Sequence, residues 1–295
     1  MARAVSPFSL SALVSRTSPP TARLRFAEMV SREDEQINLA EAALLIAAEE
    51  YPRVEVEVDL YLEKLDRFGD IAREQANSAS SALDLIAAVN FTLFDELGFR
   101  GNRRSYYDPR NSFLNEVIDR RIGIPITLTV VYIEVAKRIG FPIKGVAMPG
   151  HFIAKHEAES GDIFIDPFND GRLLGSLSCS ELVAEATGGA LELEPDHLAA
   201  VTNKQILTRM LSNLLGIYGS GDQPRAIAAI DRILLISPNS PKHVRDRGLL
   251  LASLGETRNG LAELDRYLEL APDAPDAEVI REQIKTIRQS QARLN

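Results

Sequence analysis

Two segments thirty-four residues apart constrain the last third of this chain more tightly than anything else in its sequence. "IDRILLISPNSP" at 230–241 and "LDRYLELAPDAP" at 264–275 align at an offset of 34, matching Asp231-Arg232 to Asp265-Arg266, Leu234 to Leu268, Pro238 to Pro272 and Pro241 to Pro275. Apolar residues at helical spacing, closed by a proline and repeated at that period, describe stacked helix–turn–helix units. Gly248 fits a close helix crossing in the second unit; Leu214 departs from that pattern in the first, and Gly260 stands where an alanine is expected. With the closing segment "DAEVIREQIKTIRQSQARL", the tail over 201–295 counts two units and a final helix. Fewer than three such units rarely stand alone, so this tail is expected to pack on what precedes it.

Helices are also expected from Glu28 to about Gly98. "INLAEAALLIAAEEYP" stops at Pro52; Leu60, Leu62, Leu65 and Phe68 follow at near-helical spacing; Leu85, Val89, Leu93 and Leu97 recur every four residues behind a Ser80 or Ser81 cap. In "GNRRSYYDPRNSFLNEVIDRRIGIP" a polar loop leads into a helix capped by Asn111 or Ser112 and stopped at Gly123. Pro125 suits the first turn of the next helix, Ile126 to Ile139, which is apolar on nearly every side and therefore buried. After Phe141-Pro142 the period changes to that of strands in "IKGVAM", "HFIAKH" and "DIFIDP". Period two sets His151 with Ile153 and Lys155, turns His156 to the other face, and groups Asp162, Phe164 and Asp166. Helices, then an antiparallel sheet, then helices make the fold α+β with an all-α tail.

Composition narrows the function. The formal charge is −9, which argues against nucleic acid or an anionic membrane as the main partner. No apolar run reaches the ~18 residues of a membrane span. The single cysteine, Cys179, forbids an intrachain disulfide and a cysteine-based zinc site, and the four histidines never fall as HxxxH or HExxH. No metal or cofactor is expected. Cysteine poverty fits the cytoplasm. Residues 1–27 carry four arginines, five serines and no acid, the make-up of either a disordered arm or an organellar targeting segment.

The middle of the chain resembles a known family. "YYDPRNSFLNEVIDRRIGIPITLTVVYIEVAKRIGFPI", "PGHFIAKH" and "IFIDPFNDG" are similar to bacterial transglutaminase-like proteins of the invasion-regulator-like group, which carry tetratricopeptide repeats behind the core. The resemblance runs from about residue 37 to 190, and the 34-residue period of the tail is that of the tetratricopeptide repeat. It implies a transglutaminase-like, papain-like core within 28–200, its N-terminal part helical, its buried central helix beside an antiparallel sheet. In that fold a cysteine at the start of the central helix attacks an amide, a histidine moves protons, and an aspartate orients the histidine. His151 and Asp166 match the last two. Counting about fifteen residues back from the Gly140-Phe-Pro break reaches Pro125, and within two positions lie only Gly123, Ile124, Ile126 and Thr127, none of them a thiol.

The resulting expectation is a non-catalytic regulatory or adaptor protein that engages a protein or peptide through its cleft and its tetratricopeptide tail. Its alternative is an amide-directed hydrolase or acyltransferase pairing His151–Asp166 with Thr127, Cys179 or activated water. A metal-assisted reaction through His151, Asp166 and Asp162 has suitable ligand types but no recognisable spacing. Asn115, Arg120, Arg121, Pro125 and Ile126 are candidates to line the cleft, against the alternative that the arginines merely end a solvated helix. Oligomeric state is not readable from the sequence.

Overall fold

A computed structural model describes residues 21–50, 56–159, 161–219 and 221–294. The expected arm or targeting segment lies mostly outside the described residues, but its last part does not. Helix α1 spans Thr21–Val30 and buries Phe26, Met29 and Val30. Helix α2 (Leu39–Glu50) is covered on nearly every side, Leu39, Ala40 and the run from Ala42 to Ala47 all being buried. Helices α3 (Val58–Gln75) and α4 (Ala82–Asn90) follow, with the Ser81 side chain accepting from the Asp84 N–H as the cap. The α4 periodicity continues to Leu97 in the sequence, yet the backbone widens into a π-helical turn at Phe91–Glu96.

Short strands β1 (Arg100–Gly101) and β2 (Ile122–Gly123) pair in parallel and bracket a loop, a 3-10 turn at Pro109–Ser112 and helix α5 (Leu114–Arg120). Neither Asn111 nor Ser112 caps α5. Asn111 instead donates to the Ser105 and Tyr106 carbonyls, and the residue at the cap, Phe113, has no capping side-chain bond. The helix ends at Arg121, in the left-handed region with φ of 59°, before Gly123 is reached. Its guanidinium lies 4.4 Å from the Phe68 ring centre and 4.8 Å from that of Phe99, contacts that offset the unfavourable φ.

Helix α6 (Pro125–Arg138) is buried from Pro125 to Ala136 and packs against α2, α3 and a five-stranded antiparallel sheet. The strands are β3 (Lys144–Val146), β4 (Ile153–His156), β5 (Ile163–Asp166), β6 (Arg172–Leu174) and β7 (Ala200–Val201), in spatial order β6-β5-β4-β3-β7. Ala154 pairs with Ile165 and both join the main core with α6, while Val146, Ile153 and Leu174 bury the other face against Cys179 and Val183 of helix α7 (Ser176–Thr187). The period-two reading therefore divides the sheet between two cores.

The tail is five helices: α8 (Asn203–Tyr218), α9 (Gln223–Ile236), α10 (Pro241–Ser253), α11 (Thr257–Leu270) and α12 (Ala277–Leu294). Where α10 crosses α11, a side-chain carbon on Gly260 would lie 2.7 Å from the Ala252 nitrogen, and one on Gly248 would lie 2.9 Å from Leu264. The two glycines let the backbones touch. The tail does not begin after the core ends, because Ile206, Leu207, Met210, Leu211 and Leu214 of α8 sit in the main core cluster. A division at residue 200 would cut through that packing. Among the described residues no helix is long and apolar enough to cross a membrane.

A charged network joins core and tail. Arg232 of α9, 1% exposed, donates to the Ile46 carbonyl of α2 at 2.9 Å and lies 3.9 Å from both Glu49 and Glu50. Arg23 of α1 binds Glu49 and Asp231, and Asp231 in turn holds Arg247 at 2.7 Å. Removing one partner of a buried pair leaves uncompensated charge in the interior. Arg232→Ala is therefore expected to cost about 3 kcal/mol, and urea unfolding should show it as a lowered midpoint; a midpoint within error of wild type would mean the network is not structural.

Candidate active site

The site is built where β4 and β5 leave the sheet. His151 precedes β4 and Asp166 ends β5, and the register of the two strands brings them together. His151 Nε2 lies 3.0 Å from Asp166 Oδ2. Asp166 is fully buried and accepts two further hydrogen bonds, from Asn169 Nδ2 at 2.6 Å and from the Phe168 N–H at 3.0 Å. Burial alone would raise its pKa; the bond and charge of His151, then the Asn169 and Phe168 donors, outweigh it and hold the carboxyl below the usual carboxylate range. The turn carrying those donors is fixed by Gly171, with φ of 74° and no room for a side chain because Asn90 fills the space and donates to its carbonyl.

With Nε2 facing Asp166, the other ring nitrogen of His151 is the one available to a substrate or nucleophile. Thr129 of α6 donates to the carbonyl of Phe152, the neighbour of His151, at 3.4 Å, so the Thr129 face of α6 lies along the segment that carries the histidine. One turn earlier on that face stand Pro125 and Ile126, both buried and neither able to act as a nucleophile. Thr127 points elsewhere: its hydroxyl donates to the Asn111 carbonyl at 2.8 Å and accepts from the Ile124 N–H at 3.1 Å. Its expected pairing with His151 is corrected to a local backbone role. Cys179 is fully buried among Val146, Met148, Ile153 and Leu174, and burial, with the Asp166 charge behind it, pushes its thiol pKa up, away from the reactive thiolate.

The candidate cleft residues on α5 do not gather at His151. Asn115 sits beside the Tyr61 hydroxyl, Arg120 reaches Asp108 at 3.8 Å and Arg121 is held by Phe68 and Phe99. Asp162 is drawn to Lys155 Nζ at 3.0 Å, and among the described residues no three His, Cys, Asp or Glu side chains group to hold a metal ion. His156 turns away to the Pro142 carbonyl.

Sequence reasoning missed the residues that do surround the pair. The Phe168 ring lies edge-on to His151 at 6.0 Å, Tyr106 meets Phe168 at 6.3 Å, and Arg103 lies over Phe168 at 5.0 Å while donating to Asn169 Oδ1. The signal was present in "GNRRSYYDPRN", where three arginines and two tyrosines crowd one short loop.

This core, with a His–Asp pair at the sheet beside a buried helix and a repeat tail behind, defines a class. The model of the transglutaminase-like superfamily matches residues 59–212 and that of the tetratricopeptide repeat matches 217–285, and the chain belongs to the transglutaminase-like superfamily. Within it, a UPF0162 protein of Xylella fastidiosa (strain Temecula1 / ATCC 700964) is 40% identical over 255 residues, covering 84% of this chain and 89% of the relative. Protein SirB1 of Salmonella typhimurium is 25% identical over 249 residues, covering 84% and 92%. F-box only protein 21 of Mus musculus is 35% identical over 141 residues, 45% of this chain and 22% of that one.

A carboxyl with a depressed folded pKa stabilises above its unfolded value near 4 and loses that contribution as pH falls through the folded one. Asp166→Asn is expected to cost about 2 kcal/mol at neutral pH, a deficit that is flat above about pH 5 and shrinks below about pH 4. Urea midpoints of the two proteins across that range test it; a deficit that does not change with pH would show the charge of Asp166 to be irrelevant.

Proposed function

We propose that this protein is a non-catalytic, cytoplasmic adaptor of the transglutaminase-like class, holding a protein segment at its His151–Asp166 cleft and a second surface along its repeat tail. The observation that carries the reading is the start of α6: where the resemblance puts a nucleophile, the buried helix presents Pro125 and Ile126. Proline also withholds one backbone N–H from the place where an oxyanion would be stabilised. The remaining nucleophile candidates are occupied, Thr127 by backbone groups and Cys179 by burial. What is left is a histidine with one ring nitrogen fixed and the other able to meet an amide or carboxylate.

The tail supports the second half. Tetratricopeptide arrays generally bind protein segments, and α10 and α12 enclose a groove of about 710 Å³ walled by Leu249, Ala252, Val279 and Ile287, with Glu278 and Glu282 alongside. The resemblance to the invasion-regulator-like group supports a regulatory role. The intact His151–Asp166 geometry favours the second reading, an amide-directed enzyme using activated water.

One pair of assays separates them. The full chain, incubated with a glutamine-containing peptide pool and a primary amine, is expected to release no ammonia and cleave no peptide above buffer, and His151→Ala is expected to match it. Histidine-dependent release of either product would replace the adaptor with the enzyme. In parallel, Leu249→Glu and His151→Ala, each checked for native circular dichroism, are expected to lose partners that wild type co-purifies; retention of every partner by both would remove the adaptor as well.

A further inference from the structure

Most arginines of this protein are spent on carboxylates. Arg23, Arg225, Arg232, Arg245 and Arg247 all sit within ion-pairing distance of Glu or Asp, and the formal charge of −9 supplies acids in excess. Against that background, the surroundings of His151 stand out. Among the described residues, Arg103, Arg104, Arg121, Arg172, Arg209 and Arg258 have no carboxylate within 4 Å; Arg121 is held by the Phe68 and Phe99 rings, whereas Arg103 and Arg104 lie on the loop beside His151 and Arg209 on the helix packed against it. Arg103 is the nearest, resting on Phe168 and bonded to Asn169, the residue that donates to Asp166. Arg104 follows it on the same exposed loop.

Arg209 comes from a different part of the chain. It lies on α8, which packs against the Pro109–Ser112 turn closing that loop. Burial raises the pKa of the Tyr106 hydroxyl, and the positive charge of Arg209 works against the rise. Along α8 the same arginine opens a groove of about 300 Å³ with Lys204, Gln205, Thr208 and Ser212. The acids bordering the loop are engaged: Asp108 by Arg110 and Arg120, and Asp170 by Arg100 at 4.0 Å. Between the cations, Tyr106 is 38% and Tyr107 79% exposed, and their rings stand 5.4 Å apart.

Unpaired guanidinium groups in an acidic protein repel one another and gain nothing from folding. Their concentration beside one cleft is explained by a ligand that brings the missing carboxylates, because a guanidinium matches a carboxylate by two parallel hydrogen bonds. We propose that the segment held at His151 is a peptide carrying Asp or Glu side chains, its carboxylates taken by Arg103, Arg104 and Arg209 and its apolar groups laid on Tyr106 and Tyr107. This rests on the cleft reading above and names the chemical class of what the cleft takes.

Fluorescence anisotropy on the full chain tests it with three labelled probes: a randomised dodecamer peptide pool with several fixed glutamates, the same pool with lysines in their place, and oligothymidylate of equal length. The glutamate pool is expected to bind at least about tenfold tighter than the lysine pool and to weaken as salt is raised. Arg104→Gln at an exposed position combined with Arg209→Gln at a half-buried one is expected to lose about tenfold for the glutamate pool and little for the lysine pool. Equal binding of the two peptide pools, no binding of either, or tighter binding of oligothymidylate overturns the proposal. His151→Ala separates it from the cleft reading. Loss with the arginine variant but not with His151→Ala retires the cleft and leaves an arginine site apart from it; loss with His151→Ala alone keeps the cleft and retires the preference for acids.

Discussion

The Arg232 guanidinium, buried against the Ile46 carbonyl and flanked by Glu49 and Glu50, is the point through which the two halves of this protein hold each other. Two adjacent carboxylates at the end of α2 could not be covered by apolar helices without a cation among them. Arg232 supplies one from α9, Arg225 adds another at 3.1 Å from Glu50, and the Tyr218 hydroxyl donates to the same carboxylate at 2.8 Å. At its other end α8 is tied in by Asp34, whose carboxylate accepts from the Asn203 and Lys204 N–H groups, placing negative charge at a helix N-terminus. The short repeat array borrows its stability from these contacts, which is how two units and a closing helix suffice.

The same anchoring sets the stage at the cleft. The loop with Arg103 and Tyr106 is framed by the β1–β2 pair on one side, and the turn that closes it packs against α8. His151 and Asp166 are then oriented by the sheet, and the carboxylate by a turn whose conformation Gly171 permits. The orienting network around the histidine also has a structural use of its own: it satisfies a fully buried carboxylate with three donors and pins the β5 end.

Much of this was readable in the residues. The period change after Phe141-Pro142, the all-round apolar run of α6 and the matched repeats are local patterns that packing reinforces, and they placed the central helix, strands β3, β4 and β5 and the tail helices. Strands β6 and β7 were not readable, because three residues in one and two in the other carry no period. The α5 cap was misplaced because Asn111 has a competing use in the loop before it, and the helix stop because a cation–aromatic contact stabilises Arg121 where a glycine is usually needed. His151 and Asp166 were found through motif resemblance, whereas Asn169, Arg103 and Tyr106 owe their place to tertiary contacts that no spacing rule encodes. Thr127 and Cys179 were open in sequence and are occupied in the fold for the same reason: a short polar side chain takes the nearest backbone partner, and a lone thiol takes an apolar niche.

The membership of α8 in the main core has a consequence for how the chain is made. Residues Leu39 to Ile165 supply most of that core, yet Ile206, Leu207, Met210, Leu211 and Leu214 of α8 cover its open side, with Ala226, Ala229 and Ile233 of α9 after them. As synthesis runs from the N-terminus, the first two hundred residues emerge with an apolar face that has no cover until α8 follows. The ribosome thus releases an unfinished hydrophobic surface for as long as the next segment takes to clear the exit tunnel, and the helix that closes it is also the one that begins the repeats.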